Sequence, residues 1–459
     1  MTHALSLGKM FFGVAIIWLV TSLGAESLLE QIEHSPYSHL LEFLLPFVVF
    51  TFASFASTYL AERRPLPSFV LAVFIGQACK PLLEGIVANG IVLEGIVTLL
   101  AMLILFQGGL ETPLHNFRRL FPKIFMLAFP GVLITAFGLA WAAYQIGGAT
   151  LSFTTVVLLG AILASTDPAA VIPLFKTLKF RNTDSKDIAV SESAVNDVVG
   201  ALLFFTFLGA VEASGNFTSI GQGFATLFSA DSGTFLLKQL AIGTIVGVAG
   251  WGLLQLYSVA QARKELSKGA RGMALLTVPL GSFFVAAVFG GSGYLAAFVA
   301  GLLFHVSHER EGDVEHYGEN FIDGFAKPII FVLLGAMVNL ADLQTYAVHG
   351  VLIALVFIFV LRPLMAHLML SPFVLFGKNR MTWNQVRFLS WIRETGAIPA
   401  VLLVTVVSKN IPGLEPVLPI GMWCILATLI LQPALTPWVA QKLGIADPIG
   451  RADVAASKA

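Results

Sequence analysis

Apolar runs of about 20 residues recur along nearly the whole 459-residue chain, each close to the length a helix needs to cross a hydrocarbon core. No water is available there to bond open backbone, and the runs are too long for barrel strands, so the segments must be helices. Composition agrees: 57% of residues are hydrophobic and 12% are charged, against roughly 25% charged in soluble domains. The runs fall at 8–26, 39–61, 67–81, 89–112, 121–146, 152–177, 187–213, 234–260, 270–290, 292–306, 319–341, 345–371, 384–408 and 415–441. The expectation is an all-α polytopic membrane protein of 13–14 transmembrane helices.

Basic residues alternate between loops. Arg63 and Arg64, then Arg118, Arg119 and Lys123, lie on one side, with Lys176, Lys179, Arg181 and Lys186 after them. Arg263, Lys264, Lys268 and Arg271 follow on that side, as do Arg310, the group Lys378, Arg380 and Arg387, and the tail Lys442, Arg451 and Lys458. Intervening loops carry little beyond Lys80, Lys238 and Lys409. The positive-inside rule then puts both termini in the cytoplasm, and the chain in the cell's inner (plasma) membrane. The net charge of zero gives no reason to expect a nucleic-acid partner. Cys79 and Cys424 form neither a disulfide framework nor a metal motif, and no cofactor or enzymatic activity is expected.

The chain also echoes itself. Leu71-Ala72-Val73-Phe74 matches Leu295-Ala296-Ala297-Phe298, Gly108-Gly109-Leu110 matches Gly335-Ala336-Met337, and Ala170-Val171-Ile172-Pro173 matches Gly396-Ala397-Ile398-Pro399. The offsets agree to within a few residues, which points to duplication. Six spans fall in each copy and one joins them, so the second copy is inverted in the membrane. The expected division is an extra N-terminal segment at 1–38, a first six-helix repeat at 39–213, a linker helix at 214–265, a second repeat at 266–445, and a short tail at 446–459.

A charge inside a span costs about 2.5–3.5 kcal/mol on insertion scales, so each one needs a reason. Ser165-Thr166-Asp167-Pro168 sits inside 152–177, Ser191-Glu192-Ser193-Ala194-Val195-Asn196-Asp197 inside 187–213, Arg362 inside 345–371, and Arg393-Glu394 inside 384–408. Pro168 pushes Asp167 out of helical geometry, and Pro173 has no N–H to donate. The expected outcome is a locally unwound stretch, repeated in the second copy near Gly396 and Pro399. Crossing of two such broken helices would bring half-helix ends together, with Arg393, the counterpart of Asp167, compensating their charge. Glu192 and Asn196 share one helix face, with Ser193 and Asp197 on the adjoining one. These oxygen groups suit Na⁺, Li⁺ or K⁺ better than a transition metal. Glu192 is expected to pair with Arg362, leaving Asp197 as the functional acid.

Thr166-Asp167-Pro168 followed by Glu192-Ser193-x-x-Asn196-Asp197 resembles the signature of sodium/proton antiporters in the monovalent cation/proton antiporter superfamily. The Asn-Asp pair resembles its electroneutral branch. Phe106-Gln107-Gly108-Gly109-Leu110, Gly293-Tyr294-Leu295-Ala296 and the segment with Arg393 fit as well. The resemblance implies that Asp197 carries the exchanged ion, with Thr166, Asp167, Ser193 and Asn196 shaping the site. It places the transported Na⁺ at Asp197, Asp167, Ser193 and Thr166, gives Glu192 and Arg362 a structural pairing, and implies a homodimer. One carboxylate loaded by either a proton or a cation would make exchange one for one and electroneutral, by alternating access. A K⁺/H⁺ antiporter is the alternative on the same fold, and a non-transporting membrane sensor the alternative outside it. An aspartyl hydrolase built on Asp167 and Asp197 fits neither the inverted repeat nor the paired arginines. His305, His308 and His316 are read as part of a solvated polar loop, and Lys327 as a side chain that reaches for the interface.

Overall fold

The computed structural model describes residues 22–25, 27–63, 67–112, 114–166, 175, 178–263, 268–307, 317–376 and 380–448. Most of the expected first span, Asp167 with the prolines after it, residues 308–316 with His308 and His316, and residues 449–459 lie outside these residues.

The principal helices of the first copy are α1 (Ser38–Arg63), α2 (Ser68–Ala78), α3 (Lys80–Val87), α4 (Gly90–Glu111), α5 (Leu114–Ala128), α6 (Pro130–Gly147), α7 (Phe153–Ala164) and α8 (Asp184–Ser214). Helix α9 (Ala230–Ala262) follows, in the stretch expected to link the two copies. The second copy holds α10 (Lys268–Val288), α11 (Gly293–Ser307), α12 (Lys327–Met337), α13 (Ala347–Val356), α14 (Arg362–Leu375), α15 (Trp383–Trp391), α16 (Ala397–Ser408) and α17 (Val417–Lys442).

Among the described residues seven helical segments are long and apolar enough to cross a membrane, and α2 with α3 makes an eighth if that pair, bent by 86°, is one span. Of the remaining expected spans, those at 152–177, 270–290, 292–306, 319–341 and 384–408 hold shorter or interrupted helices among the described residues. Proline marks many of the joins: it stands in the first turn of α3, α6, α12 and α14, with its φ already fixed near the helical value. A π-helical turn, Phe357–Leu361, links α13 to α14. Lys327 does not reach for the interface; it is buried and pairs with Asp323 at 2.8 Å, one turn earlier.

The loops gather at two ends. At one end, strand β1 (Leu178–Phe180) pairs antiparallel with β2 (Ala446–Pro448). There Arg119 meets Asp184, Asn116 donates to Asp187 at 2.9 Å, Arg181 meets Asp447 at 3.2 Å, and Asn384 donates to the Leu443 carbonyl at 3.0 Å. These are the segments that the basic residues assigned to one side. At the other end Thr155 donates to the Gly413 carbonyl, Phe217 N–H to Thr154, and Lys409 pairs with Glu94 at 3.0 Å. Between the ends the outer faces are apolar: Phe43, Phe47 and Phe55 on α1, and Leu237, Ile245 and Leu256 on α9, are all exposed.

The repeat is written into backbone packing. A methyl group at Gly76 of α2 would come within 2.0 Å of the Val332 carbonyl oxygen of α12, and one at Gly335 within 2.0 Å of the Val73 carbonyl oxygen. In the same way Gly301 of α11 lies against Phe106 of α4, and Gly109 against Phe298, where a methyl would fall 2.2 and 2.4 Å from the carbonyl oxygens. A shift of 225 or 226 residues carries the first pair of contacts onto the second: Gly76 onto Gly301, Val332 onto Phe106, Gly335 onto Gly109, Val73 onto Phe298. Small residues are what let helix backbones approach this closely. We expect Gly76→Ala and Gly301→Ala to destabilise the protein alike, by about 1–3 kcal/mol each. Gly95→Ala, where no neighbouring atom lies within 4 Å, should cost nothing. Thermal unfolding in detergent followed by size-exclusion chromatography measures this, and equal behaviour of Gly76→Ala and Gly95→Ala would contradict it.

Candidate ion-binding site

The centre of the molecule is built from two interruptions at matching places in the repeat. Helix α7 stops at Ala164, and Ser165 follows in extended geometry (φ −73°, ψ 134°). Helix α15 stops at Trp391, and α16 resumes only at Ala397 after Gly396 (φ −105°, ψ −145°). Backbone groups freed by such breaks need partners when buried away from water. In each copy they find them on the helix that follows.

In the first copy α8 supplies the partners. Ser193 Oγ donates to the Thr166 carbonyl at 2.7 Å, and the Thr166 N–H donates to Asn196 Oδ1 at 3.2 Å. Asn196 Nδ2 donates to Thr166 Oγ1 at 3.1 Å. Ser193 and Asn196, three apart, therefore share a face toward the unwound strand. Both act as brackets for Thr166, whatever else their oxygens hold. In the second copy α17 does the same: Gln432 Nε2 donates to the Trp391 carbonyl at 2.5 Å, and the Thr395 N–H donates to Thr428 Oγ1 at 3.1 Å.

Asp197 is buried on α8, and Ser165 Oγ donates to its Oδ1 at 2.5 Å. The approach depends on Gly200, one turn further along, where a methyl would sit 2.6 Å from Ser165 Cβ. Ser165, Thr166, Ser193, Asn196 and Asp197 thus converge: one carboxylate, three hydroxyls and an amide, all buried. Such a set offers hard oxygen ligands to a small monovalent cation and one titratable group to a proton. The fifth residue expected here, Asp167, lies outside the described residues.

One turn before Asn196 stands Glu192, 0% exposed. Its carboxylate meets Arg362 of α14 at 3.3 Å and is also ion-paired with Arg393 from the interruption in the second copy. Arg362 further donates to the Leu389 carbonyl at 3.3 Å. Arg393, expected at the crossing of broken helices, therefore has its guanidinium on Glu192, and a single carboxylate holds both arginines. Glu394 is buried beside it.

Sequence reasoning passed over Ser165, Gly200, Thr428 and Gln432. Thr428, Gln432 and Thr436 recur every four residues in an otherwise apolar span, a polar stripe that signals a buried partner. Nothing comparable marked Ser165, which is one hydroxyl among several.

The pattern of the family described as sodium/hydrogen exchanger, transmembrane, matches residues 47–442. The chain is 28% identical over 385 residues to the K⁺/H⁺ antiporter NhaP of Alkalimonas amylolytica, covering 83% of this chain and 63% of that protein. It is 27% identical over 337 residues to the K⁺/H⁺ antiporter NhaP2 of Shewanella oneidensis, covering 72% and 54%. The chain thus spans between about half and two thirds of the length of these relatives. It is 27% identical over 361 residues to Na⁺/H⁺ antiporter 1 of Methanocaldococcus jannaschii, covering 76% and 79%. Among solved structures, the sodium proton antiporter MjNhaP1 of that organism at pH 8 superposes with a TM-score of 0.70 at 23% identity, over 88% of this chain and 99% of that one. That likeness establishes a shared antiporter fold.

Proposed function

The chain belongs to the transmembrane sodium/hydrogen exchanger family, a family of secondary transporters, and from that premise we propose that it exchanges Na⁺ or Li⁺ for H⁺ by alternating access. The exchange is electroneutral, with proton and cation competing for Asp197. The observation that carries this reading is the buried Asp197 carboxylate beside the interrupted α7, bonded to Ser165 and flanked by the brackets on Thr166. The transported cation is held by Asp197, Asp167, Ser193 and Thr166, with Asn196 shaping the strand. Glu192 with Arg362 and Arg393 fixes the two copies against each other. Loading Asp197 with either ion leaves the same net charge, so each turnover moves none. K⁺ is the second candidate, favoured by the K⁺/H⁺ antiporters among the relatives. The protein sits in the cell's inner membrane with both termini cytoplasmic, and the exposed apolar faces of α1 and α9 are available to pair two copies as a homodimer.

Proteoliposomes holding a pH dye test the proposal. With a proton gradient imposed, Na⁺, Li⁺ and K⁺ are added in turn, with and without a clamped membrane potential. We expect cation-evoked proton movement of equal rate under both conditions. A rate that follows the clamped voltage would refute electroneutrality, and silence with all three cations would refute exchange.

A further inference from the structure

At the end of the molecule where the basic loops gather, a cleft of about 260 Å³ opens between the start of α14, the last turns of α15 and the C-terminal turn of α17. Arg387 and Lys442 line it, both exposed, and among the described residues no carboxylate lines it. The rest of the wall is largely apolar and aromatic: Phe359, Pro363, Trp391 and Trp438. Phe359 and Trp438 are 56% and 57% exposed, and they continue the outer apolar surface of the protein. The Lys442 ammonium lies 4.7 Å from the centre of the Trp438 ring.

Two cations without a carboxylate make a local positive field that attracts an anion. Exposed tryptophan at the end of a membrane helix belongs at headgroup level. A free phosphate would use the cations and leave the rings idle, whereas a phospholipid uses both. Basic clefts between transmembrane helices are where anionic headgroups bind. We propose that this cleft is a binding site for an anionic phospholipid, with its phosphate between Arg387 and Lys442 and an acyl chain along Phe359 and Trp438. The position has a consequence for the charged centre. Pro363 follows Arg362 directly, and Trp391 ends α15 two residues before Arg393. A lipid seated here rests on both segments that bring arginines to Glu192.

The test is binding by the full chain in neutral detergent, read by native mass spectrometry as phosphatidylglycerol or phosphatidylcholine is titrated in. We expect phosphatidylglycerol to bind more tightly than phosphatidylcholine. The double variant Arg387→Gln/Lys442→Gln should weaken phosphatidylglycerol binding about 10–30-fold. Trp438→Ala, which alters no charge, should weaken it as well. Arg263→Gln, another exposed cation just after α9, should have no effect, and soluble glycerol phosphate should not compete. Unaltered binding in the double variant, an equal loss in Arg263→Gln, or competition by glycerol phosphate at lipid-like concentrations would each overturn the proposal. The last outcome would mark a phosphate pocket in its place.

Discussion

Asp197→Asn in proteoliposomes should reduce cation-evoked proton movement by about 100-fold or more, a loss equivalent to roughly 3 kcal/mol in barrier height, while the protein stays folded. The substitution is nearly isosteric, and an asparagine oxygen can still accept the hydrogen bond that Ser165 Oγ gives to Oδ1. The bracket around Thr166 is made by Ser193 and Asn196 and does not involve the Asp197 side chain. What the amide cannot do is carry a negative charge or take up a proton near neutrality. The same magnitude would keep the proposed exchange coupled. Moving an unloaded, charged aspartate through the low-dielectric interior costs about 2.5–3.5 kcal/mol on insertion scales, which suppresses the empty crossing by on the order of 100-fold. A variant with unchanged melting behaviour and no exchange would support the assignment. Full exchange by Asp197→Asn would move the ion site elsewhere in the fold.

Glu192→Gln should act on folding. Its carboxylate is fully buried and faces two guanidinium groups, from α14 and from the interruption between α15 and α16. Removing one partner of a buried ion pair typically costs about 3–5 kcal/mol, because the other charge is left without compensation. Here two arginines lose the same anion at once. Arg393→Met should cost less, since Glu192 keeps its ion pair with Arg362 at 3.3 Å. Unfolding midpoints in detergent, compared across wild type, Arg393→Met and Glu192→Gln, should fall in that order. A Glu192→Gln protein as stable as Arg393→Met would show that Glu192 is not the shared anchor.

How much of this could be read in the sequence depended on what each feature must satisfy. Length and hydropathy disclosed the spans, because a bilayer tolerates few alternatives. The long spans at 89–112, 187–213 and 415–441 reappear as α4, α8 and α17 with ends shifted by only a few residues. The short spans were harder. The run at 67–81 is α2 followed by a sharp turn into α3, and no hydropathy pattern records a bend at Cys79. At the site, expensive charges drew attention to Glu192, Asp197, Arg362 and Arg393, since any ion inside a membrane demands an explanation. The neutral groups that complete the architecture cost little to bury and left fainter traces. Ser165 and Gly200 are ordinary residues whose meaning comes from touching each other across two helices. That Arg393 shares Glu192 with Arg362 is a three-body fact that pairwise matching of charges could not supply.

The four close glycine contacts also bear on how the two halves of this chain can drift apart after duplication. At Gly76, Gly109, Gly301 and Gly335 even one added carbon would collide with a main-chain oxygen of the facing helix. A main-chain oxygen cannot be mutated away, so no change in the neighbouring side chain can open room for a substitution there. Elsewhere the halves are free to specialise, as Asp167 in one and Arg393 in the other already have. The expected duplication is therefore kept in its tightest joints, while the proposed chemistry lies at positions where the two copies have ceased to match.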